Sequence, residues 1–322
     1  MSNRTENLRT NFAFSEVDEN KRKKKKRRRI LLIVFGIIII LAILLYYALD
    51  IYFSLDNLFA EIHEEADSID LRVDQGLPEI VLGETPFSVL VLGLDGPRSD
   101  TIIVATVNPN LETTYMLSIP RDTMVDIPGF GTTRINHAHA YGGVSLSIDT
   151  IQDFLNIPID YYVTLDMEGF PDLIDAFGGV TVCNDTVEFS IAQYHFPRGY
   201  VNLTGNQAYY YVRMRMDDPY GDFGRQERQR DILVAMADDI GGVSTVARYQ
   251  SIIDAVGDHM RTDVTLGEMV RISTRNSEAL ENIINLQMHY PGQITNGMYL
   301  IPIPEESRLA MSNTLRNHLE LE

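Results

Sequence analysis

FSVLVLGLDGPRSDTIIVATVNPNLETTYMLSIPRD, residues 87–122, holds three apolar runs separated by two short polar breaks. The first two runs, FSVLVLGLD (87–95) and TIIVATVN (101–108), are nearly continuous in aliphatic and β-branched residues. They read as central strands covered on both faces, because a sheet with one wet face would show apolar and polar residues alternating. TTYMLSIP (113–120) reads as a third strand. Only residues 96–100 and 109–112 separate the three, too few for a crossover, so antiparallel connections are expected.

Downstream the chain changes character. DTMVDIPGFGTTRINHAHAYGG (122–143) is glycine-rich and polar, a segment of the kind that carries sites rather than packing. A helix is expected over 144–155, closed by Pro158, then a strand YYVTLD (161–166), a helix over 168–177 stopped by Gly178-Gly179, and a strand VTVCN (180–184). This order predicts an α/β fold, a three-layer α/β/α sandwich with a mixed central β-sheet. The lone Cys183 forms no intrachain disulfide and is expected as a small buried strand residue. Thr204 with Gln207 three positions on is a capping-box pattern opening a helix over 205–211. Further helices are expected over 225–240, 243–258, 265–274 and 306–318, with a late strand over 298–304.

Upstream, residues 30–49, ILLIVFGIIIILAILLYYAL, are 20 consecutive uncharged positions, enough to cross a hydrocarbon core of roughly 30 Å. KRKKKKRRR (21–29) precedes them and an acid-rich segment follows, so the basic tail lies in the cytoplasm and the C-terminal part outside. The expected organisation is a cytoplasmic tail (1–29), a transmembrane signal-anchor helix (30–49), an amphipathic extracytoplasmic stalk (50–80, helical to about Gln75) and an extracytoplasmic domain (81–322). The protein is thus expected in the cell membrane, with a single span. Beside a span the basic run is first a topology determinant, and no nucleic-acid partner is expected.

Residues 1–29 carry 11 Lys and Arg against four acids, whereas residues 30–322 carry 16 against 41. Within that acidic remainder, Arg213, Arg215, Arg225, Arg228 and Arg230 crowd into TGNQAYYYVRMRMDDPYGDFGRQERQR (204–230). Such crowding is repulsive unless an anion sits there. Arg225, Arg228 and Gln229 fall at i, i+3 and i+4 of a helix and so share a face; the helix is expected to begin after Gly224. In extended chain, Arg213 and Arg215 emerge on one side and together grasp a diphosphate. Pairing with Glu227 and Asp231, or with Asp217 and Asp218, is the alternative for these residues. Asp95 and Asp100, brought together by the hairpin, are the minimal protein share of a Mg²⁺ site; a polar turn is the alternative there. Arg121-Asp122 follows the third strand and is a candidate or a surface pair. His137 and His139 lack a third ligand for zinc.

Taken together, RSDT (98–101), LSIPRDT (117–123), INHAHAYGG (135–143) and RMRMDDPYGDFGRQERQR (213–230) resemble the LytR-CpsA-Psr family of bacterial cell-wall proteins. The resemblance implies a phosphotransferase that moves a glycopolymer, of the wall teichoic acid or capsular polysaccharide type, from an undecaprenyl-diphosphate carrier to a peptidoglycan hydroxyl. It implies a lipid tail lying in an apolar tunnel between sheet and helices, and Mg²⁺ as cofactor. Asp95 and Asp100 match the family's magnesium-associated carboxylates. Arg98, Arg121, Arg213, Arg215, Arg225 and Arg228 match its diphosphate-contacting arginines, Gln229 a polar companion. Arg98, Arg121 and Asp122 match residues at the reacting centre, Asp122 as a group assisting the incoming hydroxyl. The chain departs from many relatives in having only Gly96-Pro97 between Asp95 and Arg98. A non-catalytic module that binds polyprenyl diphosphates in the cell envelope is the other reading of the same residues.

Overall fold

The computed structural model describes residues 37–215, 218–239, 248–295 and 297–321. Two compact units meet between Ser54 and Leu55. Helix α1, Ile37–Ile62, is long and apolar enough to cross a membrane, and Ile38, Leu41 and Leu45 on it are exposed as lipid-facing side chains are. With the charge asymmetry around the span, the chain is a single-pass membrane protein whose C-terminal domain lies outside the cytoplasm. The basic tail and the first residues of the expected span lie outside the described residues.

The helical stalk ends earlier than its spacing suggests. Leu58, Phe59 and Ile62 are buried against Leu173 and Val256, and past Ile62 the chain leaves the helix so that His63 bridges Thr262. A separate short helix α2, Leu71–Asp74, is capped by the Asp70 side chain. It holds Arg72, which is buried and forks onto Asp160 with Nε to Oδ1 at 2.5 Å and Nη2 to Oδ2 at 3.0 Å. Asp160 also accepts from the Ser88 backbone N–H at 2.8 Å. Backbone pairing and this fork override helical periodicity over 63–70.

The strands are β1 (Phe87–Asp95), β2 (Arg98–Asn108), β3 (Thr113–Ser118), β4 (Met124–Ile127), β5 (Gly131–Arg134), β6 (Tyr161–Asp166), β7 (Val180–Asn184), β8 (Phe189–Ile191), β9 (Tyr194–Phe196), β10 (Gly199–Leu203), β11 (Met260–Thr262), β12 (Ile283–Gln287), β13 (Gln293–Thr295) and β14 (Met298–Leu300). The remaining helices are α3 (His137–Leu155), α4 (Phe170–Phe177), α5 (Gly205–Tyr211), α6 (Asp222–Asp239), α7 (Tyr249–Gly257), α8 (Leu266–Arg275), α9 (Ser277–Glu281) and α10 (Glu305–His318). The central sheet runs β11-β6-β1-β2-β3-β12. β1, β2 and β3 pair antiparallel, as their short connections require, while β6 lies parallel to β1 and β12 parallel to β3, so the sheet is mixed.

Alternation along the strands builds the layers. Leu90, Leu92, Ile102, Val104 and Leu117 pack with Ile148, Ile151 and Leu155 from α3, Leu315 from α10 and Leu319 at its C-terminal cap. On the opposite side Phe170, Val212 and Ile232 belong to a second cluster built from α4, α5, α6 and β7–β10. The fold is an α/β sandwich with helices on both faces of the sheet.

Several expectations need correction. β12, with its sequence IINLQ, is a five-residue edge strand whose side chains are mostly exposed, and no strand was expected there. The segment 122–143 is not irregular throughout: β4 and β5 form a hairpin in it, and α3 begins at His137, kinking at Gly142–Gly143, rather than at 144. α6 begins at Asp222, ahead of Gly224. Cys183 is exposed, because β7 alternates and the cysteine falls on its outer face. The expected strand over 298–304 pairs with β13 as far as Leu300 and adds one bridge, from Ile301 to Thr123, before its pairing ends.

Arg72→Ala leaves Asp160 buried without its charge partner and should cost about 3–5 kcal/mol, read by denaturant titration of the purified chain. His318 gives a pH test. It is buried between Thr106 Oγ1 (2.8 Å) and Thr113 Oγ1 (2.9 Å), stacked on Tyr115, and burial pushes its pKa down to about 4 although Glu320 acts the other way. An unfolded histidine titrates near 6.5, so this contribution is complete above roughly pH 6.5 and is lost as pH falls toward 4. Burial pushes Asp231 and Asp263 up to about 6, which acts oppositely over the same range. The histidine is therefore isolated by difference: the stability advantage of the natural chain over His318→Gln should shrink by about 2–3 kcal/mol between pH 7 and 4.

Candidate active site

The site is built at the end of the sheet where β1 turns into β2. Gly96 takes φ +58°, the left-handed conformation that a two-residue hairpin loop with glycine first requires, and Pro97 suits the second position. Asp95 then faces Arg98 across the pair, with the register shifted at Gly93/Leu94. Asp100 follows two residues on, and Arg121 lies just past the end of β3. After α5, Met214 is buried while Arg213 and Arg215 on either side of it are exposed. The buried methionine anchors the segment and throws both guanidinium groups to one side, as alternation predicts.

Asp95, Asp100, Arg121, Arg213, Arg215, Arg225 and Gln229 line one cavity of about 190 Å³, with Thr101 and Met167. Arg121 donates to Asp100 through Nη1, and the Arg213 Nη2 sits 3.2 Å from Asp95 Oδ2. Arg225 forks onto Asp222 at 2.8 and 3.1 Å and donates to the Asp100 backbone carbonyl at 3.2 Å. Four arginines thus face two aspartates on the lining. The excess is positive, and an anion is what completes it.

Three candidates are placed elsewhere. Arg228 does not share the cavity face with Arg225 and Gln229. It is buried, ion-paired to Asp218 at 2.5 Å, and donates to the backbone carbonyls of Tyr211 and Met214 with Phe189 and Tyr211 rings beside it. A residue three positions on from Arg225 points far enough round the helix to enter the core once a buried carboxylate waits there. Asp122 lies outside the lining, its carboxylate between Arg121 Nε (3.7 Å) and Arg134 Nη1 (3.3 Å). Arg98 is exposed at the first position of β2, beside the turn, and also outside the lining. Its charge is felt by His137, whose pKa is lowered by burial, Arg134 and Arg98 against Asp122.

Asp222 is a member that sequence reasoning missed. Burial opposes its charge, but the bonds from Arg225 and Gln226 and the charge of Arg121 prevail, and its pKa falls below the usual carboxylate range. The signal was an i, i+3 acid–arginine pair hidden by the assumption that the helix starts later. Arg121 is likewise opposed by burial and restored by Asp100, Asp122 and Asp222, ending above its ordinary value. These carboxylates hold the guanidinium groups charged and aimed.

Beside the polar cavity is an apolar slot of about 40 Å³ between the sheet and α6, lined by Val91, Gly93, Leu165, Phe170, Val212 and Leu233 among others. Thr101, Met167 and Gln229 line both. A ligand with an anionic head and an apolar tail is matched by that continuity. Among the described residues no group of three or more His, Cys, Asp and Glu is placed to hold a metal. Asp95 and Asp100 supply only two carboxylates, hard oxygen donors of the type Mg²⁺ prefers when water and phosphate complete its shell.

The LytR_cpsA_psr family model matches residues 51–317. A polyisoprenyl-teichoic acid–peptidoglycan teichoic acid transferase, TagU of Halalkalibacterium halodurans, is 41% identical over 283 residues, covering 85% of this chain and 93% of its own. Among solved structures, B. subtilis TagU is 37% identical with a TM-score of 0.61 over 74% of this chain and 99% of that one. TagT bound to LI-WTA is 27% identical, with a TM-score of 0.67 over 80% and 100%.

The division of the arginines is testable by stability alone. Arg228→Met strands Asp218 in the core and should cost about 3–5 kcal/mol. Arg215→Ala removes an exposed side chain and should change stability by less than about 0.5 kcal/mol. Denaturant titration of the two variants beside the natural chain reads both.

Proposed function

The chain belongs to the LytR-CpsA-Psr family, and on that premise we propose that it transfers a teichoic-acid-type glycopolymer from a polyprenyl-diphosphate carrier to a peptidoglycan hydroxyl. One observation carries this reading: a cavity with more arginines than carboxylates shares three lining residues with an apolar slot between sheet and helix. The diphosphate takes the first and the start of the isoprenoid tail the second.

Chemically, an acceptor hydroxyl attacks the phosphorus that bears the glycopolymer. A new P–O bond forms to the acceptor, the bridging P–O bond of the diphosphate breaks, and polyprenyl phosphate leaves. Most of the catalytic work in such a displacement is neutralising charge on the transferring and leaving phosphates. Arg121, Arg213, Arg215 and Arg225 supply it, in a site where Asp222 and Asp100 already hold two of the four in place, so little reorganisation is needed when charge develops. Asp122, held between Arg121 and Arg134, positions Arg121 rather than taking a proton. Asp95 and Asp100 are the carboxylates within the cavity, and the proton of the incoming hydroxyl passes to one of them. The same pair is where Mg²⁺ would be held, and when bound the ion adds positive charge against the phosphate oxygens. Gln229, at the junction of the two cavities, hydrogen-bonds the phosphate next to the tail. Arg98, at the rim, meets the donor or acceptor as it enters.

Arg121→Ala and Arg215→Ala should each lower kcat by about 10²–10³-fold in an assay of the full chain with lipid-diphosphate-linked glycopolymer and peptidoglycan. Near-normal turnover in both variants contradicts the role given to the arginine cavity. Removing divalent cations with chelator should suppress turnover, and Asp95→Asn should weaken its rescue by added Mg²⁺. If binding of the lipid diphosphate persists but no phosphodiester forms under any metal condition, the chain is a binding module rather than a transferase.

A further inference from the structure

On the other side of α6 from the arginine cavity lies a larger one of about 570 Å³ whose lining includes Asp185, Arg198, Tyr220, Phe223, Glu227 and His289. The two are related by helix geometry. Arg225 and Gln229 are four residues apart and share a face, whereas Phe223 and Glu227 lie two residues either side of Arg225, about half a turn round. One helix, roughly 10 Å across, separates the cavities.

The lining of the larger cavity has a different chemistry from that of the arginine cavity. The Phe223 and His289 rings stack at 3.7 Å with 22° between their planes, making a flat double ring, and Tyr220 stands 58% exposed on the same cavity. Arg198 is anchored by donating to the Asp185 backbone carbonyl at 2.5 Å. Gln287 forms part of the lining, and with its amide oxygen turned to the buried Arg230 it accepts from Nη1 at 3.3 Å and Nη2 at 2.5 Å. Arg230 is itself fixed by donating to Ser118 Oγ at 2.7 Å. Arg198 and Gln287 are therefore held in place before any ligand arrives.

Flat ring faces beside carboxylates and a guanidinium are a sugar-binding set. The C–H face of a pyranose lies on an aromatic ring, its hydroxyls donate to Asp185 and Glu227, and they accept from Arg198. Two carboxylates against one guanidinium disfavour a polyphosphate, the reverse of the balance across the helix. The apolar slot, not this cavity, suits a lipid. We propose that this second cavity seats the sugar chain of the acceptor and delivers its hydroxyl round the first turn of α6 to the arginine cavity. The inference rests on the transferase reading and adds the place where the acceptor binds.

The test uses the full chain in detergent, with a soluble uncrosslinked peptidoglycan glycan fragment as probe, and the variants Tyr220→Ala and Glu227→Gln. Titration should show the fragment bound by the natural chain and bound roughly tenfold more weakly by each variant. In turnover assays each variant should raise KM for acceptor by a similar factor, leaving kcat at saturating acceptor and KM for the lipid-linked donor unchanged. Unaltered fragment binding and acceptor KM in both variants overturn the inference, as does a rise in donor KM that grows with polymer length, which would assign the cavity to the donor chain. Circular dichroism of each variant confirms that the exposed tyrosine and glutamate were removed from a folded protein. The natural chain's own turnover separates the two levels: phosphodiester formation with normal Tyr220→Ala and Glu227→Gln behaviour sinks only the acceptor site, while no phosphodiester under any metal condition sinks the transferase reading itself.

Discussion

The structure depends on holding several like charges close together at the end of a β-sheet. Arg121, Arg213, Arg215 and Arg225 converge from the end of β3, the segment after α5 and the first turn of α6. Their repulsion is offset locally by carboxylates that each take a defined partner: Asp100 for Arg121, Asp95 for Arg213, Asp222 for Arg225. The offset is incomplete on the cavity wall, and that shortfall is the recognition element. A buried or half-buried guanidinium resists losing its charge, so the cavity stays cationic and must be met by an anion.

The remaining architecture serves to place those groups. The tight β1–β2 connection puts Asp95 and Asp100 at one sheet end, and Met214, sunk in the core, turns Arg213 and Arg215 outward together. Arg228 and Arg230, a few residues along the same helix, are buried and join α6 to Tyr211, Met214 and Asp218 and to the ends of β3 and β12. One cluster of arginines in sequence is thus two groups in space. The outer group faces a ligand, and the inner group holds the helix that carries the outer one.

Much of this was legible in the chain. The apolar runs of β1 to β3 and the lengths of their connections dictated antiparallel pairing, and the Thr204 capping box opens α5 as its pattern requires. The i, i+2 spacing of Arg213 and Arg215 and the approach of Asp95 to Asp100 were readable too. Arg228 was not, because helical spacing gives an angle about the axis but not which side of the helix meets the core; only Asp218, ten residues earlier, decides that. Edge strand β12 escaped because the alternation of Ile284, Leu286 and Met288 is only three residues deep, and the stalk was overextended because the Arg72–Asp160 fork joins residues 88 apart in sequence. Long-range pairs of this kind leave no local mark.

A crystal structure of the full chain grown with a short-chain polyprenyl diphosphate tests the central claim most directly. The account predicts both phosphates within hydrogen-bonding distance of Arg121, Arg215 and Arg225, and the first isoprene units passing Met167 toward Phe170 and Leu233. A diphosphate bound in the cavity of Tyr220 and His289, or a tail running over the outer surface while the arginine cavity holds only solvent, would contradict it.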